Sequence, residues 1–346
     1  MTIKLAKFGE LSDEAILLLK SGDINFFSSF FWYKNWINSV VLAKNEKVQF
    51  LNYIQDGDVK LLIPLKSNGK SLESLANYYS PLFQVVSCLE NKNDLFLEVF
   101  FKELKKSPYI WDTIVLRPMK QDYILYLSSY LKEIGLPNIP FFCFANWYLE
   151  VNFRSYDQYF STLSSRVKNT VIRKTKQFYK LKDTRVEIIT ESKGLDKGIA
   201  DFEAVYALSW KGEETYPDFI SGLIKIASEH GALRLGVAYL NNIPVAAQLW
   251  IVADNSAYIY KLAYDEKHKK LSAGSILTAT LMRYVIDIDK VAYVDYLSGD
   301  DRYKKEWMSH RRERWGIMIF NRHSMNGCFK MCNEYARFYF KKIVSK

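Results

Sequence analysis

Cysteine and histidine are scarce in this chain. Four cysteines in 346 residues are too few for a disulfide framework at this length. Cys328 and Cys332 stand one helical turn apart, but no second pair of Cys or His follows at zinc spacing. The expected state of the cysteines is therefore a free, buried thiol in a reducing cytosol. The four histidines (His230, His268, His310 and His323) form no HxH or HxxxH pair, which argues against a metal enzyme. Repeats and low-complexity tracts are absent as well. The first residues, MTIKLAKFGELSDEA, carry no long apolar run of signal-peptide type. The uncharged stretch from Leu235 to Ala253 approaches a membrane span in length, yet Asn241-Asn242-Ile243-Pro244 breaks it with turn chemistry. It reads as two strands of a hairpin, and the protein is expected in the cytoplasm or at the inner face of the membrane.

What the chain does have is length, aromatics and positive charge. At 346 residues, with 49% hydrophobic and 25% charged residues, it is a folded protein long enough for two domains. Aromatic residues reach 16%, with 24 Tyr, 22 Phe and 8 Trp, and large rings mostly build cores. The net charge of +10 suits a polyanion, an anionic membrane surface or a phosphate-bearing ligand.

Periodicity indicates an α/β (α+β) chain. "DEAILLLKS" has helical spacing. "VQFLNYIQDGDVKLLIPL" is two strands around Asp56-Gly57-Asp58, a hairpin signal. Leu95–Lys106 is an amphipathic helix, Trp111–Met119 a strand, and "YILYLSSYLKEIG" a helix ended by Gly135 and Pro137. The aromatic strand Phe141–Val151 follows, with the domain change placed near residue 150. The second part opens with one long helix, "SYDQYFSTLSSRVKNTVIRKTKQFYKLK". Next come the strand Arg185–Thr190 and the helices "GIADFEAVYALSWKG" and "PDFISGLIKIASEHG". Three strands then turn at Asn241-Asn242 and Asp254-Asn255, before the helix "SILTATLMRYVIDID" and the strand "VAYVDYL".

The junction "YKLAYDEKHKKLSAGSIL" (260–277) joins the last of those three strands to a helix. Apolar residues at 276, 277, 281, 284 and 285 give that helix one packing face. Its first turn presents backbone N–H groups with no intrahelical partner, behind the small side chains of Ser272, Ala273, Gly274 and Ser275. A phosphate can approach such a cap and the positive end of the helix dipole, and Lys269 and Lys270 add charge. The other reading is a plain loop with Ser272 as N-cap.

Four stretches together resemble the GNAT acyltransferase superfamily, and more specifically its CelD/BioF-like acetyltransferase branch. They are "NYYSPLF" (77–83), "NWYLEV…SYDQYF…SRVKNTVIRK" (146–174), "LSAGSIL" (271–277) and "VDYLSGDDRYKKEW" (294–307). The resemblance spans about two-thirds of the chain. It implies a GNAT fold in two related halves, residues 1–150 and 151–346, each a mixed, largely antiparallel sheet flanked by helices. It further implies acyl-CoA as co-substrate, acetyl-CoA foremost, with the pyrophosphate on the cap at Lys269, Lys270, Ser272, Ala273, Gly274 and Ser275 of the second half. One departure stands out: the superfamily loop carries more glycine and an Arg or Gln at its start. The Fem-type aminoacyl transferases, which use aminoacyl-tRNA, are more distant relatives of the same kind.

"VDYLSGDDRYKKEWM" follows the last strand of that pattern. Asp295, among apolar residues near the strand's end, is a candidate base for an attacking ammonium. Tyr303 is a candidate proton donor to the departing thiolate, and Lys304 a contact for a phosphate or carboxylate. Asp295 as a hydrogen-bonded structural group, with Gly299-Asp300-Asp301 as a turn, is the alternative. Direct attack of a held amine on a thioester needs no covalent nucleophile. "ALSWKGEETYPDF" places Trp210 and Glu213 as substrate contacts, with Glu213 or Glu214 as another base; packing in the core is the other reading of Trp210. Ser165–Lys182 holds seven basic residues and no acidic one. Arg173 and its neighbours form a solvated face, a cradle for an anionic acceptor or tRNA, or a membrane contact. No RNA-binding motif is present, so nucleic acid is a partner only in the tRNA alternative. The C-terminal "FYFKKIVSK" reads as a strand, a helix or a weak membrane contact.

The expected function is acyl transfer from a CoA thioester to an amine on a sugar or a cell-surface polysaccharide precursor. A Fem-like aminoacyl transferase and a non-catalytic module for a polyanion or membrane surface are the alternatives.

Overall fold

Asparagine and aspartate pairs punctuate this chain, and the computed structural model shows them at work. It describes residues 2–21, 24–41, 47–88, 93–106 and 111–344, with the backbone alone for 93–96 and 338–344. In chain order the elements are β1 (Thr2–Ala6), α1 (Asp13–Lys20), α2 (Phe30–Trp36), β2 (Lys47–Gln55), β3 (Asp58–Asn68), β4 (Ser71–Ser74), β5 (Val86–Ser87), α3 (Asn93–Lys106), β6 (Thr113–Lys120) and α4 (Gln121–Glu133). There follow β7 (Asn138–Glu150), α5 (Tyr156–Thr162), α6 (Ser165–Phe178), β8 (Thr184–Ile189), α7 (Leu195–Ala207), α8 (Pro217–Glu229), β9 (Leu233–Leu240), β10 (Ile243–Ala253) and β11 (Ser256–Tyr264). The last are α9 (Ala273–Asp287), β12 (Tyr293–Ser298), α10 (Arg302–Trp307), β13 (His310–Phe320) and α11 (Met325–Val344).

Two compact units result, residues 1–144 with 313–346 and residues 145–312. The single cut expected at residue 150 is thus replaced by two crossings, inside β7 and inside β13. The physical reason is pairing: β13 lies antiparallel on β6, from Arg314 opposite Lys120 to Phe320 opposite Thr113, and this draws the C-terminal segment into the first unit.

Each unit carries the same six-strand scheme. In the first the order is β1-β2-β3-β4-β6-β13, antiparallel throughout except for β4 and β6, which run parallel from Ser71 opposite Thr113 to Glu73 opposite Val115. In the second the order is β8-β9-β10-β11-β12-β7. Again every pair is antiparallel except the fourth and fifth strands, β11 and β12. These are the mixed, largely antiparallel, helix-flanked sheets that the resemblance implied.

The second unit positions the candidate site. Its hairpins turn where the residues demanded it: Asn241, Asn242, Asp254 and Asn255 all take positive φ, which Asn and Asp tolerate best among residues with a side chain. The run from Leu235 to Ala253 is therefore β9 and β10, and no described helix is long and apolar enough to cross a membrane. One expected helix is two. Leu163 turns extended, and Ser164 starts a new helix by accepting a hydrogen bond from the Val167 N–H. Val167, Val171 and Phe178 of α6 pack with Ile276, Leu277, Leu281 and Met282 of α9 in the buried core.

Three smaller points follow, of which the first differs from expectation. The cysteines are free, but Cys88, Cys143 and Cys328 are only half-buried and Cys332 is exposed. The C-terminal tail is helical through Val344, and its last two residues lie outside the described ones. Trp210 is not core: it is 51% exposed.

Candidate functional site

The cap begins with a buried amide. Gln248 on β10 is 1% exposed, so its polar ends need partners. Its Nε2 donates to the Gly274 carbonyl at 2.9 Å and to Thr278 Oγ1 at 2.8 Å, while its Oε1 accepts from Trp250 Nε1 at 2.9 Å. The first turn of α9 is thereby fixed to the sheet. Before it, a short 3-10 turn covers Glu266–Leu271. Buried Asp265 organises that turn by accepting from the Lys267 N–H at 2.9 Å and pairing with His268 Nδ1 at 2.8 Å. Burial alone would raise the Asp265 carboxyl, but these partners outweigh it and hold the group below the usual carboxylate range.

Ser272 then takes a left-handed conformation, φ 56° and ψ 33°, and makes no side-chain cap bond. The N–H groups of Ser275 and Ile276 return to the Ser272 carbonyl at 3.0 and 3.1 Å. Those of Ala273 and Gly274 have no hydrogen-bond partner among the described residues. Gly274 sits in the first turn rather than before it, and a Cβ there would rest 3.6 Å from the Tyr264 ring. Trp210 packs on that ring, with centroids 4.8 Å apart. The structure thus brings Trp210, Tyr264, Ala273 and Gly274 together. Lys269 and Lys270 are exposed beside them, and Lys269 lies 3.7 Å from Glu266.

The end of β12 forms the second part. β11 and β12 are parallel only from Ser256 opposite Tyr293 to Tyr258 opposite Asp295. Beyond Tyr258 they part, and β11 runs on to Tyr264, the end that leads into α9. At the parting Asp295 is 2% exposed. Its Oδ1 accepts from Asn146 Nδ2 at 2.5 Å and from the Leu297 N–H at 2.6 Å, and its Oδ2 from the Arg312 guanidinium. Arg312 also donates to Asn146 Oδ1 at 2.6 Å. Both carboxylate oxygens are occupied, so the surroundings are those of the structural alternative rather than of an open base.

That carboxylate steadies a strained turn. Leu297 has φ 57°, costly for a side chain of its kind. Gly299 follows at φ 119°, where a Cβ would lie 2.8 Å from both Asp301 Oδ2 and Lys304 Nζ. The turn delivers Lys304, only 6% exposed, whose Nζ donates to the Ser298 carbonyl and lies 3.5 Å from Asp301. Burial pushes the Lys304 ammonium below its ordinary pKa, with Asp301 opposing. Tyr303 is 42% exposed. Burial of its hydroxyl and the Asp301 charge push it well above the usual tyrosine range, so it keeps its proton.

Residue-type reasoning missed a third part. Lys211, in the loop between α7 and α8, lies near Lys261 and Lys304. Its Nζ is 5.8 Å from the Tyr206 ring centre, and Lys261 Nζ is 5.4 Å from the same ring. Lys211 is exposed by area. Even so, surrounding protein atoms and the Lys261 and Lys304 charges bring its pKa down to about 8. Lys211, Lys261 and the Tyr206 ring thus form one cluster near Lys304. Glu214 is not a free base, because it holds Lys261 at 2.7 Å with both side chains largely shielded. Glu213 is exposed, and Arg173 lies on the outward face of α6. Among the described residues no group of three His, Cys, Asp or Glu is placed to hold a metal ion.

Residues 165–305, which contain all three parts except Asn146 and Arg312, match the acetyltransferase (GNAT) domain family. The protein is an acyltransferase. No curated protein matches the chain in sequence. In structure the acyltransferase is similar to FemX, with a TM-score of 0.61 at 12% identity, covering 93% of this chain and 98% of that one. A conserved protein of unknown function from Bacteroides thetaiotaomicron VPI-5482 gives 0.57 at 12%, covering 92% and 99%. The C-terminal domain of a candidate lysylphosphatidylglycerol synthetase from Agrobacterium fabrum gives 0.50 at 10%, covering 79% and 84%. At these identities the likeness concerns the fold.

Proposed function

We propose that this acyltransferase, read as a member of the CelD/BioF-like branch, moves an acyl group from a coenzyme A thioester to an amine. The acceptor class is a sugar or another cell-surface polysaccharide precursor, and the place of work is the cytoplasm or the inner face of the membrane. One observation carries the reading: a small-residue helix cap with free N–H groups stands where β11 and β12 part. Lys211, with Lys261 and Lys304 near it, belongs to the same unit. A pyrophosphate bound at Ala273 and Gly274, with Lys269 and Lys270 beside it, directs the thioester into the parting.

The chemistry then follows from the side chains. The acceptor nitrogen attacks the thioester carbonyl carbon; a C–N bond forms and the C–S bond breaks. The amine must shed a proton, and a base with pKa near the working pH serves best. Lys211 in its neutral form fits that need, and the occupied oxygens of Asp295 favour it over the carboxylate. Asp295 acts by holding the turn that carries Tyr303 and Lys304. Tyr303 hands its proton to the departing thiolate, and the ammonium of Lys304 faces charge that develops on the carbonyl oxygen. Trp210 is a platform for the acyl donor.

The test is a calorimetric titration of the purified protein with CoA and with acetyl-CoA, repeated on Gly274→Val. An alanine Cβ would make ordinary contact with Tyr264, but the branched valine crowds the cap; at least tenfold weaker binding is expected, with the melting temperature little changed. If the folded wild type binds neither ligand, the donor is not a CoA thioester, and aminoacyl-tRNA becomes the donor to test.

A further inference from the structure

Helix α6 carries two patterns. Val167, Val171 and Phe178 face the core. Off that face, Ile172 and the C-cap residue Tyr179 are 58% and 52% exposed. They are seven positions apart, so they fall in one stripe along the outer face. Leu181, 42% exposed, follows just past the helix end. A single exposed apolar residue is ordinary; three within ten positions among basic side chains form a surface.

Cations border the stripe. Arg166 is engaged by Glu306, Lys168 by the Ser161 carbonyl and Lys174 by the Lys270 carbonyl. Arg173, Lys176, Lys180 and Lys182 are exposed, and their side chains have no ion pair or hydrogen bond among the described residues. No acidic residue occurs from Ser165 to Lys182. The face thus offers four uncommitted positive charges around an apolar line.

We propose that this face docks on an anionic membrane surface. Ile172, Tyr179 and Leu181 enter the boundary between headgroups and acyl chains, and Arg173, Lys176, Lys180 and Lys182 meet lipid phosphates. Charge complementarity selects an anionic partner. The apolar line selects lipid over nucleic acid, because a phosphate backbone would leave Ile172 and Leu181 in water. The same helix reaches the candidate cap through Lys174, which donates to the Lys270 carbonyl. Docking would therefore set the cap beside the lipid surface, whichever acyl donor the cap receives.

The experiment is sedimentation of the full chain with vesicles of phosphatidylglycerol in phosphatidylcholine, and with phosphatidylcholine alone. Binding to the anionic vesicles only is expected. Each basic residue near such a surface is worth roughly fivefold in affinity, so Lys176→Glu/Lys180→Glu/Lys182→Glu should lose on the order of 100-fold or more. Ile172→Ser/Tyr179→Ser, at exposed positions that leave the fold intact by circular dichroism, should lose about tenfold. Three results would overturn the proposal: no binding to the anionic vesicles, equal binding by the apolar double variant, or preference for tRNA over vesicles at equal phosphate concentration.

Discussion

Replacing Asp295 by Asn separates two roles for this residue. The change keeps shape and Oδ1, which can still accept from Asn146 and from the Leu297 N–H. It replaces Oδ2 with an NH2 group that faces the Arg312 guanidinium, donor against donor. One charge-assisted hydrogen bond is lost, about 1.5–3 kcal/mol. Breaking a fully buried ion pair costs about 3–5 kcal/mol, but the Arg312 side chain is 36% exposed against 3% for Asp295, so it can rehydrate. The expected loss is about 2–3 kcal/mol, a drop in melting temperature of roughly 5–10 °C for a unit of this size. Calorimetric melting measures it, and a cycle with Arg312→Gln should show a coupling of at least about 1 kcal/mol. Turnover should fall with it, because the turn carrying Tyr303 and Lys304 loosens, while the pH profile keeps its midpoint. The reasoning fails if the variant melts within about 1 °C of the wild type yet loses turnover altogether. That combination is what a catalytic base would give.

Two further outcomes follow from the site. Lys211→Arg keeps the charge but cannot act as a base at neutral pH; the wild-type rate should rise with pH through about 8, and the variant should lose that rise while its CoA affinity stays put. Stability has its own sign. A lysine with a lowered folded pKa binds fewer protons folded than unfolded, so its unfavourable contribution is present at neutral pH and disappears as the pH rises past the unfolded value. Gln248→Leu removes the donor to the Gly274 carbonyl, and about 1–3 kcal/mol should be lost in urea denaturation, together with weaker CoA binding in the same calorimeter.

Much of the fold was legible in residue order. The Asn and Asp pairs between β9, β10 and β11 announced their turns, because few other residues tolerate positive φ. Residue patterning identified β2, β3 and β6 to β12 but not β1, β4, β5 or β13, and the helix cap at Ser272–Gly274 was visible from small side chains before a 3.6-residue pattern. Other features were hidden for physical reasons. Leu163 fits the apolar stripe of one long helix, and only the capping bond of Ser164 reveals the break. The part that Asp295 plays depends on Asn146 and Arg312, which local pattern cannot connect to it. Lys211 looks like any loop lysine; its pKa is lowered first by the protein atoms the fold packs around it and then by the Lys261 and Lys304 charges. The placement of β13 on β6 is likewise a long-range pairing with no periodic trace.

That pairing has a consequence for synthesis. When the ribosome has finished β6 at Lys120, the first sheet still lacks the strand that will lie beside it, His310–Phe320. At ordinary elongation rates the gap lasts on the order of ten to forty seconds. Throughout it the nascent chain exposes the edge of a strand containing Ile114, Val115 and Leu116, the kind of edge that recruits stray partners. A chaperone, or slow collapse of the first unit, has to guard that edge until the last strand emerges.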